Sequence, residues 1–176
     1  SRFLSFFGRV DYSLLDRYYF DASIRNDACS RFGVNNRNAT FWAVGGMWKI
    51  KNEDFMYGIS AINDLNLKVS YGTQGNASIG DYQHLGLVTE SGKYMDASTK
   101  FLVRPQSPNL TWENQALLTV GVNGRIFNRF DFNIEFYDRT TTSMLMDVPY
   151  NYTTGVSSLK ENVGSLSNRG VDITLG

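Results

Sequence analysis

Side chains in this sequence alternate between apolar and polar with a period of two, in one stretch after another of about nine to eleven residues. That spacing marks strands whose two faces meet different surroundings. The clearest case runs from Phe130 to Tyr137, where Phe130, Phe132, Ile134 and Phe136 alternate with Asp131, Asn133, Glu135 and Tyr137. Near the start, Phe6, Gly8, Val10, Tyr12 and Leu14 alternate with Phe7, Arg9, Asp11 and Ser13. After Leu15-Asp16-Arg17 the pattern resumes as Tyr18, Phe20, Ala22 and Ile24 opposite Tyr19, Asp21, Ser23 and Arg25, which predicts a hairpin with a very short turn. Further runs lie at 40–49, 65–72, 116–125 and from about 168 to the end. The run at 40–49 is apolar on both faces, so the orientation of Trp42 and Trp48 stays open. Shorter strands are expected at 85–89 and 144–148, and 52–63 supports a turn of helix at most. Pro occurs only at 105, 108 and 149, outside the strand interiors, where a sheet tolerates it. The reading is an all-β, antiparallel, up-and-down meander.

The connections sharpen it. Strands one and two, and strands five and six, are joined by three or four residues, whereas the joins 2–3, 4–5 and 6–7 take about fourteen, forty and thirty. Short turns at one end and long loops at the other are the asymmetry of bacterial outer-membrane barrels, whose tilted strands cross the hydrocarbon core in ~9–11 residues. Lipid offers no hydrogen-bond partner to the backbone, so only helices or closed barrels span it. A barrel strand shows lipid every second side chain, so a mean hydropathy of −0.29 is no objection. No apolar run approaches the ~18–20 residues of a membrane helix. A soluble β-sandwich or barrel alternates in the same way with its apolar face inward, and periodicity alone does not separate the two. Lys+Arg and Asp+Glu balance at 17 each, so nothing points to a nucleic-acid partner. One Cys and one His exclude a disulfide framework and a zinc site of four Cys/His ligands.

Several segments resemble the SusC/RagA family of TonB-dependent outer-membrane transporters. Arg25-Asn26-Asp27-Ala28-Cys29-Ser30-Arg31-Phe32-Gly33, then Asn36-Arg37, is similar to the family's R-x-D-G-S-S-R-F-G…N-R, with Ala28-Cys29 in place of Gly-Ser. Leu67-Lys68-Val69-Ser70-Tyr71-Gly72-Thr73-Gln74-Gly75-Asn76, followed by Ile79-Gly80-Asp81-Tyr82, resembles L-K-x-R-x-S-Y-G-x-x-G-N…I-G-x-Y. Leu110-Thr111-Trp112-Glu113 matches L-T-W-E, and Tyr137-Asp138-Arg139-Thr140 through Leu145 resembles Y-x-R-x-T-x-x-L-L. Asn162-Val163-Gly164 through Asn168-Arg169-Gly170-Val171-Asp172 resembles N-x-G-x-x-x-N-x-G-V-E, with Asp for the last Glu. The five segments keep family order over nearly the whole chain.

The resemblance implies that residues 1–176 are part of a ~22-stranded barrel whose N-terminal plug and TonB-contacting segment have no counterpart in this sequence. Seven strands is an odd number, and closed bacterial barrels use even ones, so a piece of a longer protein is expected. The chain also opens at Ser1 rather than Met and stops inside a strand pattern. The implied function is import of oligosaccharides or peptides together with a SusD-like surface lipoprotein, driven by the TonB system through the plug. In that reading Val10, Phe20, Ile24, Phe132, Ile134 and Phe136 face outer-membrane lipid, and Arg9, Asp11, Asp21, Arg25, Asp131, Glu135 and Arg139 face the lumen. Tyr12, Tyr18 and Tyr19 fit an interfacial aromatic girdle. The polar segments 27–38 and 72–80 are expected in extracellular loops, with Asp27, Arg31, Asn36, Arg37, Gln74, Asn76 and Tyr82 as candidate contacts to lipoprotein or substrate.

Other signals are weak. Gly72-Thr73-Gln74-Gly75 lacks the spacing and the Lys of a phosphate loop. His84 has no second His nearby, and Cys29 has no activating base. Glu53-Asp54 reads as a solvated face, and four Asn-x-Ser/Thr sites (at Asn38, Asn76, Asn109 and Asn151) read as loop chemistry. No cofactor is implied. Two rival functions stand beside the transporter: a soluble β-rich carbohydrate-binding module stacking Tyr82, Tyr94 or Trp112 on sugars, and, more weakly, an enzyme, for which no nucleophile–base pair or metal set emerges.

Overall fold

The computed structural model describes residues 2–32, 36–76, 85–94, 97–107, 109–151, 153, 156 and 158–176. Eleven strands follow in order: β1 (Phe3–Leu14), β2 (Tyr18–Cys29), β3 (Asn38–Lys49), β4 (Ile62–Asn76), β5 (Leu87–Tyr94), β6 (Ala97–Arg104), β7 (Glu113–Ile126), β8 (Phe130–Thr142), β9 (Leu145–Pro149), β10 (Ser158–Asn162) and β11 (Ser165–Leu175). Seven of them form one sheet in the order β1-β2-β3-β4-β7-β8-β11, every neighbour antiparallel. These seven are the seven alternating runs of the sequence, in chain order. The hairpins β5–β6 and β9–β10 are separate two-stranded sheets inside the two longest connections. The stretch expected to hold at most a turn of helix contains two 3-10 turns, Ile50–Asn52 and Asp54–Met56. No helix among the described residues is long and apolar enough to cross a membrane.

Directly paired residues of an antiparallel sheet share a face, so the register can be followed across all seven strands. One row reads Tyr12, Phe20, Gly46, Val69, Val120, Phe136, Val171, and the next Leu14, Tyr18, Trp48, Leu67, Val122, Ile134, Ile173. The rows on the opposite face are mixed. One is Asp11, Asp21, Gly45, Ser70, Thr119, Tyr137, Gly170, and another is Ser13, Tyr19, Met47, Lys68, Gly121, Glu135, Asp172. A single sheet with one apolar and one polar face has no interior of its own. Phe20, Ile24, Val171 and Ile173 accordingly stay more than half exposed. The register also settles what alternation left open in β3. Trp48 lies in an apolar row between Tyr18 and Leu67, and Trp42 pairs with Ile24 on the same face.

The short-turn end is tied together by side chains. Leu15 and Asp16 (φ +54° and +51°) and Phe127 and Asn128 (φ +52° and +54°) are left-handed pairs at two hairpin tips. Each turn closes through an i→i+3 bond, Arg17 N–H to Leu14 O at 3.0 Å and Arg129 N–H to Ile126 O at 3.1 Å. Between them, Glu53 accepts hydrogen bonds from Tyr18 Oη (2.5 Å), Trp48 Nε1 (3.0 Å) and Arg17 Nη1 (3.1 Å). Arg17 also reaches Asp54 at 2.9 Å. Glu53 was expected on a solvated face, but its side chain is only 12% exposed. It receives the polar tips of two aromatic side chains whose rings stack at 6.3 Å. Hydrogen bonds from Tyr18 and then Trp48, joined by the Arg17 charge, hold its carboxyl below the usual carboxylate range.

Two outcomes follow for the parent barrel in lipid. Ile134→Lys, on the apolar face, should cost about 2–4 kcal/mol in denaturant unfolding from vesicles. Asn133→Lys, one residue away on the polar face, should stay within about 0.5 kcal/mol. A lowered carboxyl pKa stabilises the fold at pH values above the ordinary value of ~4.3 and loses that contribution as pH falls through the lowered one. Trp48 emission should therefore hold from neutral pH down through the ordinary carboxylate range and change only below it. Glu53→Gln, which removes the charge that Arg17 pairs with, should abolish that acid transition.

Candidate functional site

Two regions have the chemistry of a site: the polar face of the sheet, and the loop end, where the long connections fold onto the strands. On the polar face, charges pair locally. Arg9 and Asp11, two residues apart on β1, form a two-pronged pair at 2.7–3.0 Å. Arg125 and Asp131, directly opposite on β7 and β8, do the same at 2.6 and 2.8 Å. Asp21 faces Asp11 across the β1–β2 pair and leans over Gly45, where a Cβ would collide with its carboxylate. Lys49 Nζ sits 5.0 Å from the Tyr19 ring centroid, an exposed cation–π contact. All seven residues named as lumen candidates (Arg9, Asp11, Asp21, Arg25, Asp131, Glu135 and Arg139) share this one face, opposite the apolar rows.

The loop end is built around aromatic rings. Phe32 and Leu110 are fully buried, and Cys29, Phe41 and Trp112 nearly so. Trp112 lies centrally, 4.8 Å from the Phe32 ring, 5.8 Å from Phe41 and 6.4 Å from Phe3. Gly75 makes this possible, because any side chain there would overlap the Phe41 ring. Beside the cluster Asp27, 2% exposed, accepts from Ser5 Oγ at 2.7 Å and pairs with Arg25 Nε at 2.9 Å. The Arg25 guanidinium in turn lies 5.9 Å from the Phe41 ring centroid. Asn162 then clips the connections together. Its Oδ1 accepts the Thr111 N–H at 2.8 Å, while its Nδ2 donates to Thr111 O at 2.8 Å and to Ser143 O at 2.9 Å. Gly164, at φ +83°, turns the chain back into β11. Glu113 Oε2 accepts the Leu145 N–H at 3.2 Å.

The loop candidates divide accordingly. Asp27 is not a loop residue: β2 runs on to Cys29, and the carboxylate is buried. Gln74 and Asn76 lie within β4, bonded to Gln115 and Glu113 of β7. Paired strands protruding beyond the alternating stretch account for the difference, since backbone pairing continues where side chains no longer alternate. Cys29, expected in a loop, belongs to the same strand and to the buried cluster. Arg31, Asn36 and Arg37 are in the β2–β3 connection, where Asn36 Nδ2 donates to Asn109 O at 3.3 Å and Arg37 O accepts the Cys29 N–H at 2.9 Å. Tyr82 and His84 lie outside the described residues.

One feature carries no sequence signature. Between the 105–110 segment and the β9–β10 hairpin lies an open cleft of about 540 Å³, lined by Gln106, Ser107, Asn109, Tyr150 and Glu161 among others. Tyr150 Oη donates to Glu161 Oε1 at 2.6 Å across its wall. An aromatic ring, amides, a hydroxyl and a carboxylate in one concave surface match the chemistry of sugar hydroxyls or peptide amides. The lining residues are scattered from 105 to 162, and none falls in a repeated pattern.

The cluster makes a prediction for the parent protein. Trp112→Ala should cost about 3–5 kcal/mol locally, and Asn162→Ala about 1–3 kcal/mol by leaving Thr111 and Ser143 unpaired. Hydrogen exchange should then rise in 105–112 and 143–164 and stay unchanged in β7 and β8.

A family model described as TonB dependent receptor-like, beta-barrel matches residues 1–176. TonB-dependent receptor SusC of Bacteroides thetaiotaomicron is 33% identical over 181 residues, covering 98% of this chain and 18% of that protein. TonB-dependent receptor P26 of Formosa agariphila is 34% identical over 175 residues, covering 97% of this chain and 18% of its own length. The solved RagAB peptide importer in its closed-closed state superposes with a TM-score of 0.91 at 44% identity, over 98% of this chain and 19% of that one. The siderophore receptor PirA of Acinetobacter baumannii, at 14% identity, TM-score 0.68 and coverage of 99% and 25%, shares the fold alone. This chain thus spans about a fifth of the length of the curated relatives it matches. A match over every residue, on a seven-stranded wall that superposes on the RagAB barrel, shows that the chain belongs to the TonB-dependent receptor β-barrel family of the bacterial outer membrane, and to its SusC/RagA type.

Proposed function

We propose that this chain is a wall segment of an outer-membrane importer of oligosaccharides or peptides that works with a SusD-like surface lipoprotein. The apolar rows face lipid and the polar face lines the lumen. The plug and the TonB-driven step belong to other parts of the parent protein. The observation that carries this reading is the superposition on the RagAB peptide importer at 44% identity over nearly the whole chain. The two-faced sheet fits this reading, because among the described residues no second layer covers its apolar rows, which suit hydrocarbon and would be wetted if this sheet stood in water. A soluble carbohydrate-binding module is disfavoured on the same ground, and also because Trp112, one of its stacking candidates, is buried at 3% exposure.

In this reading the wall binds and guides without making or breaking covalent bonds. Paired charges such as Arg9–Asp11 and Arg125–Asp131 give the lumen a polar surface with little net field. The Tyr150–Glu161 cleft at the loop end is where an incoming chain would first be gripped. The test is growth and uptake of a parent-deletion strain on a panel of glycans and peptides. The intact gene should restore one substrate class, and restoration of none would overturn the importer. A Tyr150→Ala, Glu161→Ala double variant should raise the half-saturating substrate concentration about tenfold, the equivalent of one hydrogen bond to a charged group.

A further inference from the structure

The cleft between the 105–110 segment and the β9–β10 hairpin has a wall with one-sided hydrogen bonding. Tyr150 Oη gives its single hydrogen to Glu161 Oε1 at 2.6 Å. That bond and the adjacent charge raise the Tyr150 pKa above its ordinary value, so the proton stays on the phenol. Glu161 Oε2 takes no partner among the described residues. The wall therefore offers the cleft lone pairs, on Oε2 and on Oη, and no hydrogen. Asn162 adds no donor, because its amide hydrogens go to Thr111 O and Ser143 O. The remaining polar side chains of the lining, Gln106, Ser107 and Asn109, can donate or accept.

Charge is one-sided as well. Directly paired residues of the hairpin share a face. Glu161 and Leu159 therefore stand with Met146 and Val148, and Lys160 stands with Asp147 on the opposite face. There Lys160 Nζ lies 3.5 Å from Asp147 Oδ2. The cleft is left with a carboxylate and, among the described residues, no Lys or Arg in its lining. Beside that carboxylate lie Leu110 and Leu159, both buried, as an apolar floor. A carboxylate or sulfate entering this cleft would bring only lone pairs and a like charge. A neutral hydroxyl brings a single hydrogen. A primary ammonium brings three hydrogens, no lone pair and the opposite charge.

We propose that this cleft selects cargo by a primary ammonium group, held by Glu161 Oε2 and Tyr150 Oη, with an apolar group of the same cargo on the Leu110–Leu159 floor. This rests on the reading of the cleft as the first grip on an incoming chain. The amino end of a peptide and the free amine of an amino sugar both carry the group, and acidic saccharides are turned away.

Calorimetric titration of the purified full-length parent protein in detergent tests it. The probes are leucyl-alanyl-alanine amide and the disaccharide of glucosamine, each beside its N-acetylated twin. At least one amine should bind about tenfold more tightly than its acetylated twin, the worth of one hydrogen bond to a charged group. In Glu161→Gln, which keeps an acceptor for Tyr150 Oη, that preference should fall to about twofold or less. Heat-modifiable migration on gels shows that the variant is folded. A preference seen with the peptide alone assigns the ammonium to a peptide end, one seen with the disaccharide alone to an amino sugar, and one seen with both to either. Equal binding of both twins, binding of no probe, or a preference that survives Glu161→Gln overturns the assignment. The importer reading falls separately, if the intact gene restores no uptake to the deletion strain.

Discussion

An unbroken antiparallel hydrogen-bond ladder is the constraint on which everything else in this structure depends. In hydrocarbon no backbone group finds a partner outside the protein, so the register between neighbours must hold along the whole crossing. A slip of one residue in any pair would send that strand's apolar set to the other face. The seven strands keep register from β1 to β11, with one irregularity, at Ile62/Asp64 near the turn end. Residues far apart in the chain, such as Leu14 and Ile173, thereby fall in one row.

The two ends of the sheet solve different problems. At the short turns, left-handed backbone at Leu15-Asp16 and Phe127-Asn128 reverses the chain, and Glu53 ties the β1–β2 hairpin to the next connection through Tyr18, Trp48 and Arg17. At the loop end the connections are too long to be ordered by backbone turns alone. There a small aromatic core around Trp112 and an amide clip at Asn162 give them a fixed base. That is why the family-like segments lie so far apart in sequence. Asp27, Phe32, Gly75, Leu110, Trp112, Asn162 and Gly164 come from four of the five segments and meet at one end of one sheet. They hold the loops in place.

The existence and order of the seven wall strands, and the sidedness of all of them but β3, were legible because one face of each meets a uniform environment, which imprints alternation on the chain. The strand ends were not. Alternation stops near Arg25 and Gly72, yet pairing continues to Cys29 and Asn76, since hydrogen bonding is indifferent to side-chain pattern. For the same reason Asp27 read as a loop residue and is a buried strand residue. The strands β6 and β10 went unread because the run from Ala97 to Arg104 does not alternate and Ser158–Asn162 holds a single apolar residue, Leu159. Tyr150 and Glu161, which wall the loop-end cleft, have no motif, because a cleft between two connections is defined by where those connections fold.

By itself the sequence determined that this chain is a meander of strands with one face for an apolar medium, short turns at one end and long loops at the other. Those are local properties, written by period and spacing. Only the tertiary structure decided which way Trp42 and Trp48 point, that Glu53 is a latch, and that distant motif residues share one cluster. Each of these depends on register between strands, and register is a relation between segments that no single segment encodes.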